Sequence, residues 1–407
     1  MIKKIFSSEL GKGAIILFAS INFFNFLNLV FHFSMARMLG PEGYGTLAVL
    51  MALIYIFGVP AEAIQNLVSR YTSRFNLSKD YGKIKFFIKK SICKGFGIAK
   101  VIFVIMCLAS FFIAKFLEIN LWLILTTNLL IFFILLSPIA RGVLQGRKKF
   151  SLLGSSMIIE AGLKLFFAIS FVLFGLKVFG AIGGILLGLL AGLIFSLYFN
   201  KDILSKKEND SNLKGIYKTS IPYFITLLVV ILMFSLDIIL AKRFFPSEIA
   251  GQYAVLSMLG KIIFLGTIAI SKTMFPLTSE KKDRNEDSSN IFKKSFAIVF
   301  SLCFVAVILY LIFPKLIVDI LYGSQYLGIA PYLVYSGITM SFLSLGNLVL
   351  IYGLSVNRLK KPFYLFAFLG VEIILLSLFH SNLLEYVISF MVSSIIMFIG
   401  ALFFVKK

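Results

Sequence analysis

The chain has 407 residues, 59% of them hydrophobic and 14% charged, with a formal net charge of +22 and a mean hydropathy of +0.98. That much apolar surface is more than a water-soluble globule of this length buries, which excludes an ordinary soluble domain and indicates a membrane protein. The basic excess is spread through short gaps between apolar runs with no module able to dock on a duplex, which excludes nucleic acid and leaves anionic membrane lipid as the partner of that charge.

Crossing roughly 30 Å of hydrocarbon takes about 20 mostly apolar residues at 1.5 Å each. About twelve runs meet that length, and the sequence predicts an all-α polytopic membrane protein. The first two, Gly13–Ala36 and Gly45–Val68, enclose the polar turn from Arg37 to Gly45, with Gly40, Pro41 and Tyr44 inside it. The first run is longer than a signal-peptide core and is expected as an uncleaved span. It carries Asn22, Asn25 and Asn28, with His32 one turn further on, a polar stripe that serves either as interhelical glue or as cavity lining. The second ends in Glu62, Gln65 and Asn66 after Pro60, where the missing amide proton is expected to kink the helix.

Then follow Gly95–Ala114, Leu121–Ala140, Leu152–Leu173 and Gly180–Asn200. Glu160 and Lys164 lie four residues apart near the middle of the fifth run, so they share a helix face. Two readings stand: a self-neutralising ion pair, or a cation presented to an anionic substrate with Glu160 tuning it or carrying a proton. The sixth run spaces Gly180, Gly184, Gly188 and Gly192 by four, the pattern of a helix that lets a neighbour approach to backbone contact.

Residues 201–220 are polar and form the natural midpoint, a cytoplasmic linker between an N-terminal lobe of residues 1–200 and a C-terminal lobe of residues 221–407. The second half runs through Ile221–Leu240, Tyr253–Phe275, Phe296–Phe313, Pro331–Gly353, Phe363–Phe379 and Leu384–Val405. Between its first two runs the turn recurs: Ala241, Lys242, Pro246, Glu248, Gly251 and Tyr253 follow the order of Ala36, Arg37, Pro41, Glu42, Gly43 and Tyr44. The expected architecture is two six-helix lobes related by a parallel repeat around a central cleft. Asp237 and Lys261 are placed at similar depth on helices joined by this second turn, as a structural pair or one that breaks and reforms during transport. Glu372 has no partner nearby in sequence and is a candidate for proton or cation coupling, together with Glu160 and Asp237.

Basic residues gather in alternate loops, while the opposite side holds only Arg37, Lys115, Lys177, Lys242, Arg243 and Lys315. The bias predicts a cytoplasmic-membrane location with both termini cytoplasmic. Cys93, Cys107 and Cys303 are odd in number and widely spaced, indicating neither a disulfide framework nor a metal site. No Walker A, zinc-ligand spacing or nucleophile elbow occurs, so no catalytic residue, metal or cofactor is expected beyond possible proton or sodium coupling.

The run Arg37-Met38-Leu39-Gly40-Pro41-Glu42-Gly43-Tyr44-Gly45 after a first span resembles the Arg-x-Leu-Gly-Pro-x-x-Tyr-Gly signature of the polysaccharide transporter family, the Wzx-type lipid-linked oligosaccharide flippases. The Gln145-Gly146-Arg147 turn and the region from Asp237 to Tyr253 are similar to the same family. The resemblance implies a fold of the multidrug/oligosaccharidyl-lipid/polysaccharide exporter type that flips undecaprenyl-diphosphate-linked glycan by alternating access. It also implies a cationic cavity, for which Lys164 and then Lys261 are the best matches, and glycan-assembly membrane proteins as partners. The turn itself reads as a structural corner. Two alternatives are a cation-coupled multidrug antiporter of the same superfamily, against which the first span offers amides and no carboxylate, and a membrane glycan polymerase or ligase, which the short outer loops disfavour.

Overall fold

A computed structural model describes residues 9–209, 221–359 and 362–406, and all regular structure among them is helical. The order is α1 (Glu9–Leu77), α2 (Tyr81–Leu117), α3 (Leu121–Asn128), α4 (Leu130–Gly146), α5 (Phe150–Phe171), a π turn (Val172–Leu176), α6 (Lys177–Tyr198) and a short α7 (Lys201–Leu204). The second half holds α8 (Ile221–Phe244), α9 (Ser247–Asp283), α10 (Ser289–Ile312), α11 (Pro314–Tyr322), a 3-10 segment (Ser324–Tyr332), α12 (Leu333–Ser355), a 3-10 turn (Pro362–Leu365), α13 (Phe366–Leu378) and α14 (Leu383–Lys406).

Nine helical stretches among the described residues are long and apolar enough to span a bilayer, and Pro362–Leu378 is a shorter apolar one. Two of the nine are double. The helix backbone of α1 breaks only at Gly40 (φ 68°, ψ 179°), and the stretch from α5 through α6 breaks at Gly175 (φ 85°), so divided there the helices match the twelve runs of the sequence. Positive φ is a conformation that glycine adopts without the steric cost of a Cβ. The Arg37–Gly45 corner is therefore a helix broken at one residue rather than an open turn, and Pro60 stands inside helical backbone.

Local chemistry sets several starts and stops. Asp80 accepts from the Lys83 amide at 3.2 Å and caps α2, and Asn120 accepts from the Trp122 amide at 2.8 Å and caps α3. Pro314 opens α11 at a position where its missing N–H costs nothing, and Gly323 (φ 98°) ends it. Residues 314–330, between two expected spans, thus form a helix and most of a 3-10 segment that runs on to Tyr332. Of the 201–220 linker, residues 201–209 are described: they begin with α7 and lie along α2, where Lys85 donates to the Lys206 carbonyl at 2.7 Å and Lys89 pairs with Glu208 at 3.0 Å. The remainder of the linker lies outside the described residues.

The chain divides into two compact units, Met1–Leu39 with Phe57–Ile216, and Gly40–Ile56 with Tyr217–Lys407. In the first, α5 and α6 pack closely along their length, and Val68, Phe87, Ile139, Val143 and Ile203 form a buried apolar cluster. In the second, α12 is buried almost throughout and packs on α9 and α14. Tyr44 belongs to this unit, fully buried with its ring 6.1 Å from that of Tyr322. So does Gly45, and a Cβ added to it would lie 2.8 Å from the Gly251 Cα. Gly45 and Gly251, one from each repeated corner, are thus packed backbone to backbone within this unit.

Large apolar side chains stay exposed along α2 (Phe96, Val101, Leu108, Phe112) and α10 (Phe300, Phe304, Leu311). Such stripes suit contact with lipid, where backbone polar groups are already satisfied within the helix. The chain is a multi-pass, all-α membrane protein.

Candidate functional site

In the first unit the ionisable residues of α5 take a pairing different from the one their spacing suggests. Glu160 gives its carboxylate to Arg141 of α4, whose Nη2 donates at 2.7 Å, and the two side chains are 12% and 11% exposed. Arg141 also donates from Nε to the Ser156 hydroxyl and from Nη2 to the Ser156 carbonyl, both at 3.1 Å. The expected self-neutralising Glu160–Lys164 pair is therefore corrected: an in-plane guanidinium with several donors fits the carboxylate better than an ammonium one turn along its own helix.

Lys164 turns instead to α1, where its Nζ donates to the Asn28 side-chain oxygen and sits 4.5 Å from the centroid of the Phe31 ring. The residue is only 7% exposed. An ammonium carries three donors, and here the hydrogen-bond acceptor is a neutral amide and the second contact is an aromatic face. Placing a cation in the membrane costs at least about 2.5 to 3.5 kcal/mol, and the hydrogen-bond acceptor that meets this one among the described residues is the Asn28 amide.

The four-residue glycine spacing of α6 explains how this cluster fits. A Cβ on Gly188 would lie 2.7 Å from the Lys164 Cβ, and one on Gly192 would lie 2.9 Å from Arg141 Nη2 and 3.0 Å from Glu160 Oε2. The glycines let α6 close over the charged face of α5 without displacing it.

The asparagine stripe divides. Asn28 reaches Lys164, Asn22 is exposed and donates to the Phe18 carbonyl of its own helix at 2.8 Å, and Asn25 is exposed. His32 is buried, with its ring against Phe31. Gln65 donates to Gln145 at 2.9 Å, which ties the end of the second span to the Gln145-Gly146-Arg147 turn. Arg147 itself grips Asp202 with both terminal nitrogens, so that turn anchors the start of the connector rather than a ligand. Arg37 is exposed at the corner, while Gly40, Pro41, Tyr44 and Gly45 shape it.

In the second unit Asp237 and Lys261 do meet, Nζ to Oδ1 at 3.0 Å, both essentially buried. The other Asp237 oxygen accepts from the Tyr253 hydroxyl at 3.0 Å and from Ser257, and the Tyr386 hydroxyl donates to the Asp237 backbone carbonyl at 2.6 Å. Lys261 lies 4.8 Å from the Phe234 ring centroid. Glu372 of α13 is fully buried, and neither carboxyl oxygen has a hydrogen-bond partner among the described residues.

Sequence reasoning missed Arg141, which it assigned to the loop after the fourth span. The signal was present: Gly142, Val143 and Leu144 continue the apolar pattern, and α4 runs on to Gly146 with all three buried.

Comparison with known proteins follows the same direction. Residues 10–282 match the model of a family described as polysaccharide biosynthesis protein. A Shigella flexneri protein named "Putative O-antigen transporter" is 24% identical over 316 residues, covering 72% of each chain. The fold is similar to that of an inward-facing multidrug resistance MATE family transporter of the MOP superfamily, with a TM-score of 0.76 at 16% identity over 93% of this chain and 94% of that one. It is also similar to a MOP superfamily transporter from Pyrococcus furiosus, with a TM-score of 0.66 at 15% identity over 99% of this chain and 97% of that one.

Proposed function

The chain belongs to the polysaccharide biosynthesis protein family and has the fold of the MOP superfamily transporters, and from that premise we propose that it translocates lipid-linked oligosaccharide across the cytoplasmic membrane for surface polysaccharide export. The translocation proceeds by alternating access, with both termini on the cytoplasmic side, and the substrate is undecaprenyl-diphosphate-linked glycan.

One observation carries the reading: Lys164 is a buried cation whose neighbour on the same helix face, Glu160, is taken by Arg141. A diphosphate offers the ammonium what Asn28 cannot, a full countercharge with several acceptor oxygens. Arg141 engages the Glu160 carboxylate, and Asn28 with Phe31 positions the ammonium until the anion replaces the amide. The name of the Shigella flexneri relative supports an O-antigen-type glycan as the class of cargo. Anionic lipid and glycan-assembly membrane proteins are the partners in this reading.

The test is translocation of a lipid-diphosphate glycan in reconstituted vesicles. Lys164→Ala should lose most of the activity at unchanged protein level, and unchanged translocation would remove Lys164 from the substrate site.

A further inference from the structure

The second unit contains a charge that its neighbours do not balance. Asp237 is fully provided for, with Lys261 and the hydroxyls of Tyr253 and Ser257 donating to its two oxygens. Glu372 is as deeply buried as Asp237, yet its oxygens receive no hydrogen bond from any described residue. Its helix, α13, packs against α8 and α14. The titratable and charged groups acting on it are Asp237 from α8, Lys261 and Tyr253 from α9, and Tyr386 from α14.

A carboxylate excluded from water is tolerated when it is paired, bound to a cation or neutralised. Among the described residues, Lys261 is the ammonium acting on Glu372, and it already serves Asp237. With Asp237, Lys261 and Glu372 all ionised, the cluster holds one negative charge in excess, in a position where no solvent compensates it. Tyr386, which also acts on Glu372, spends its hydroxyl on the Asp237 backbone carbonyl.

From this geometry we propose that Glu372 is a proton-binding site, and that its proton decides which carboxylate holds Lys261. While Glu372 is the neutral acid, Lys261 pairs with Asp237 as observed. When the Glu372 O–H bond breaks and the proton leaves to water, the new carboxylate competes for the Lys261 ammonium. Asp237 can release it because Tyr253 and Ser257 continue to donate to its other oxygen. The ion pair then links α9 to α13 instead of α9 to α8, so a proton repacks three helices of the second unit. This coupling site is independent of the anion site at Lys164.

The test is infrared difference spectroscopy of the full-length protein in lipid, titrated with pH in sodium-free potassium buffer and without glycan. We expect an acid carbonyl band that disappears as pH rises, is absent from Glu372→Gln, and is lost or moved to lower pH in Asp237→Asn, where Lys261 is free to hold the Glu372 carboxylate. Should Glu372→Gln fail to fold, Glu372→Met replaces it, and the wild-type titration needs no variant. No titrating acid carbonyl in the wild type, a band unchanged in the Glu372 variants, or a band removed by sodium at fixed pH would each overturn the proposal. The readout involves no cargo, so its failure is distinct from failure of glycan translocation.

Discussion

Arg141 donates to Glu160 at 2.7 Å from a neighbouring helix, and the consequence falls on Lys164, which pairs with an amide in place of a carboxylate. Removing Arg141 should return Glu160 to the residue one turn along its own helix, since positions four apart face each other. Arg141→Ala is therefore expected to lower glycan translocation by about tenfold or more, the equivalent of roughly 1.4 kcal/mol. Adding Glu160→Gln should restore a good part of it by freeing Lys164 again. Vesicle translocation with matched protein levels distinguishes the outcomes, and a double variant no better than Arg141→Ala would contradict the account.

The Asp237–Lys261 pair makes a prediction about stability rather than transport. Taking one partner from a buried ion pair leaves the other charge uncompensated, a loss of about 3 to 5 kcal/mol. Asp237→Leu or Lys261→Met alone should each lower the unfolding temperature markedly, while the double replacement should recover much of the loss. Thermal unfolding in detergent measures it; additive losses would mean that the two residues contribute separately.

The corner contact is tested by adding one methyl group. A Cβ on Gly251 would run into the Pro41 carbonyl, so Gly251→Ala should cost about 1 to 3 kcal/mol as an overpacked site. Gly266, in α9, has nothing within 4 Å of an added Cβ, and there alanine should be neutral or stabilising by up to about 1 kcal/mol. Melting temperatures of the two variants should diverge, and equal behaviour would show that the corner is loosely packed.

On the connector, hydrogen bonding from the Arg147 guanidinium holds the Asp202 carboxyl below the usual carboxylate range. A lowered folded-state value stabilises above the unfolded carboxyl's value near pH 3.9, and that contribution is lost as pH falls through the folded value. The Asp202 side chain is half exposed, so solvent screening limits the effect to about 0.2 to 1 kcal/mol. Limited proteolysis at residues 201–209 should therefore quicken below about pH 4 in the wild type. Asp202→Asn should cleave faster at neutral pH and lose the acid dependence, and an unaltered acid response in that variant would assign the effect elsewhere.

Much of the fold was legible because membrane crossing is a one-dimensional requirement: a helix must be long and apolar enough, and every such run falls within a helical stretch. The Arg37–Gly45 corner and its echo near Gly251 were legible as a repeat, since they use the same residues in the same order. Asp237 and Lys261 were legible as a pair because one short turn joins their helices. Arg141 was not, because a basic residue at the end of an apolar run reads as the start of a loop until the helix is seen to continue through it.

The sequence by itself determined how many times the chain can cross a bilayer, which residues are too polar to sit there without a partner, and the family signature at the first corner. Only the tertiary structure decided the partners. Glu160 finds Arg141 on the neighbouring helix, 19 residues away, and Glu372 is enclosed beside Asp237 and Lys261 with no donor among the described residues. The physical reason is that spacing fixes which side chains share a helix face, whereas desolvation makes a buried charge depend on whichever helices pack against that face. Those neighbours are set by the three-dimensional fold.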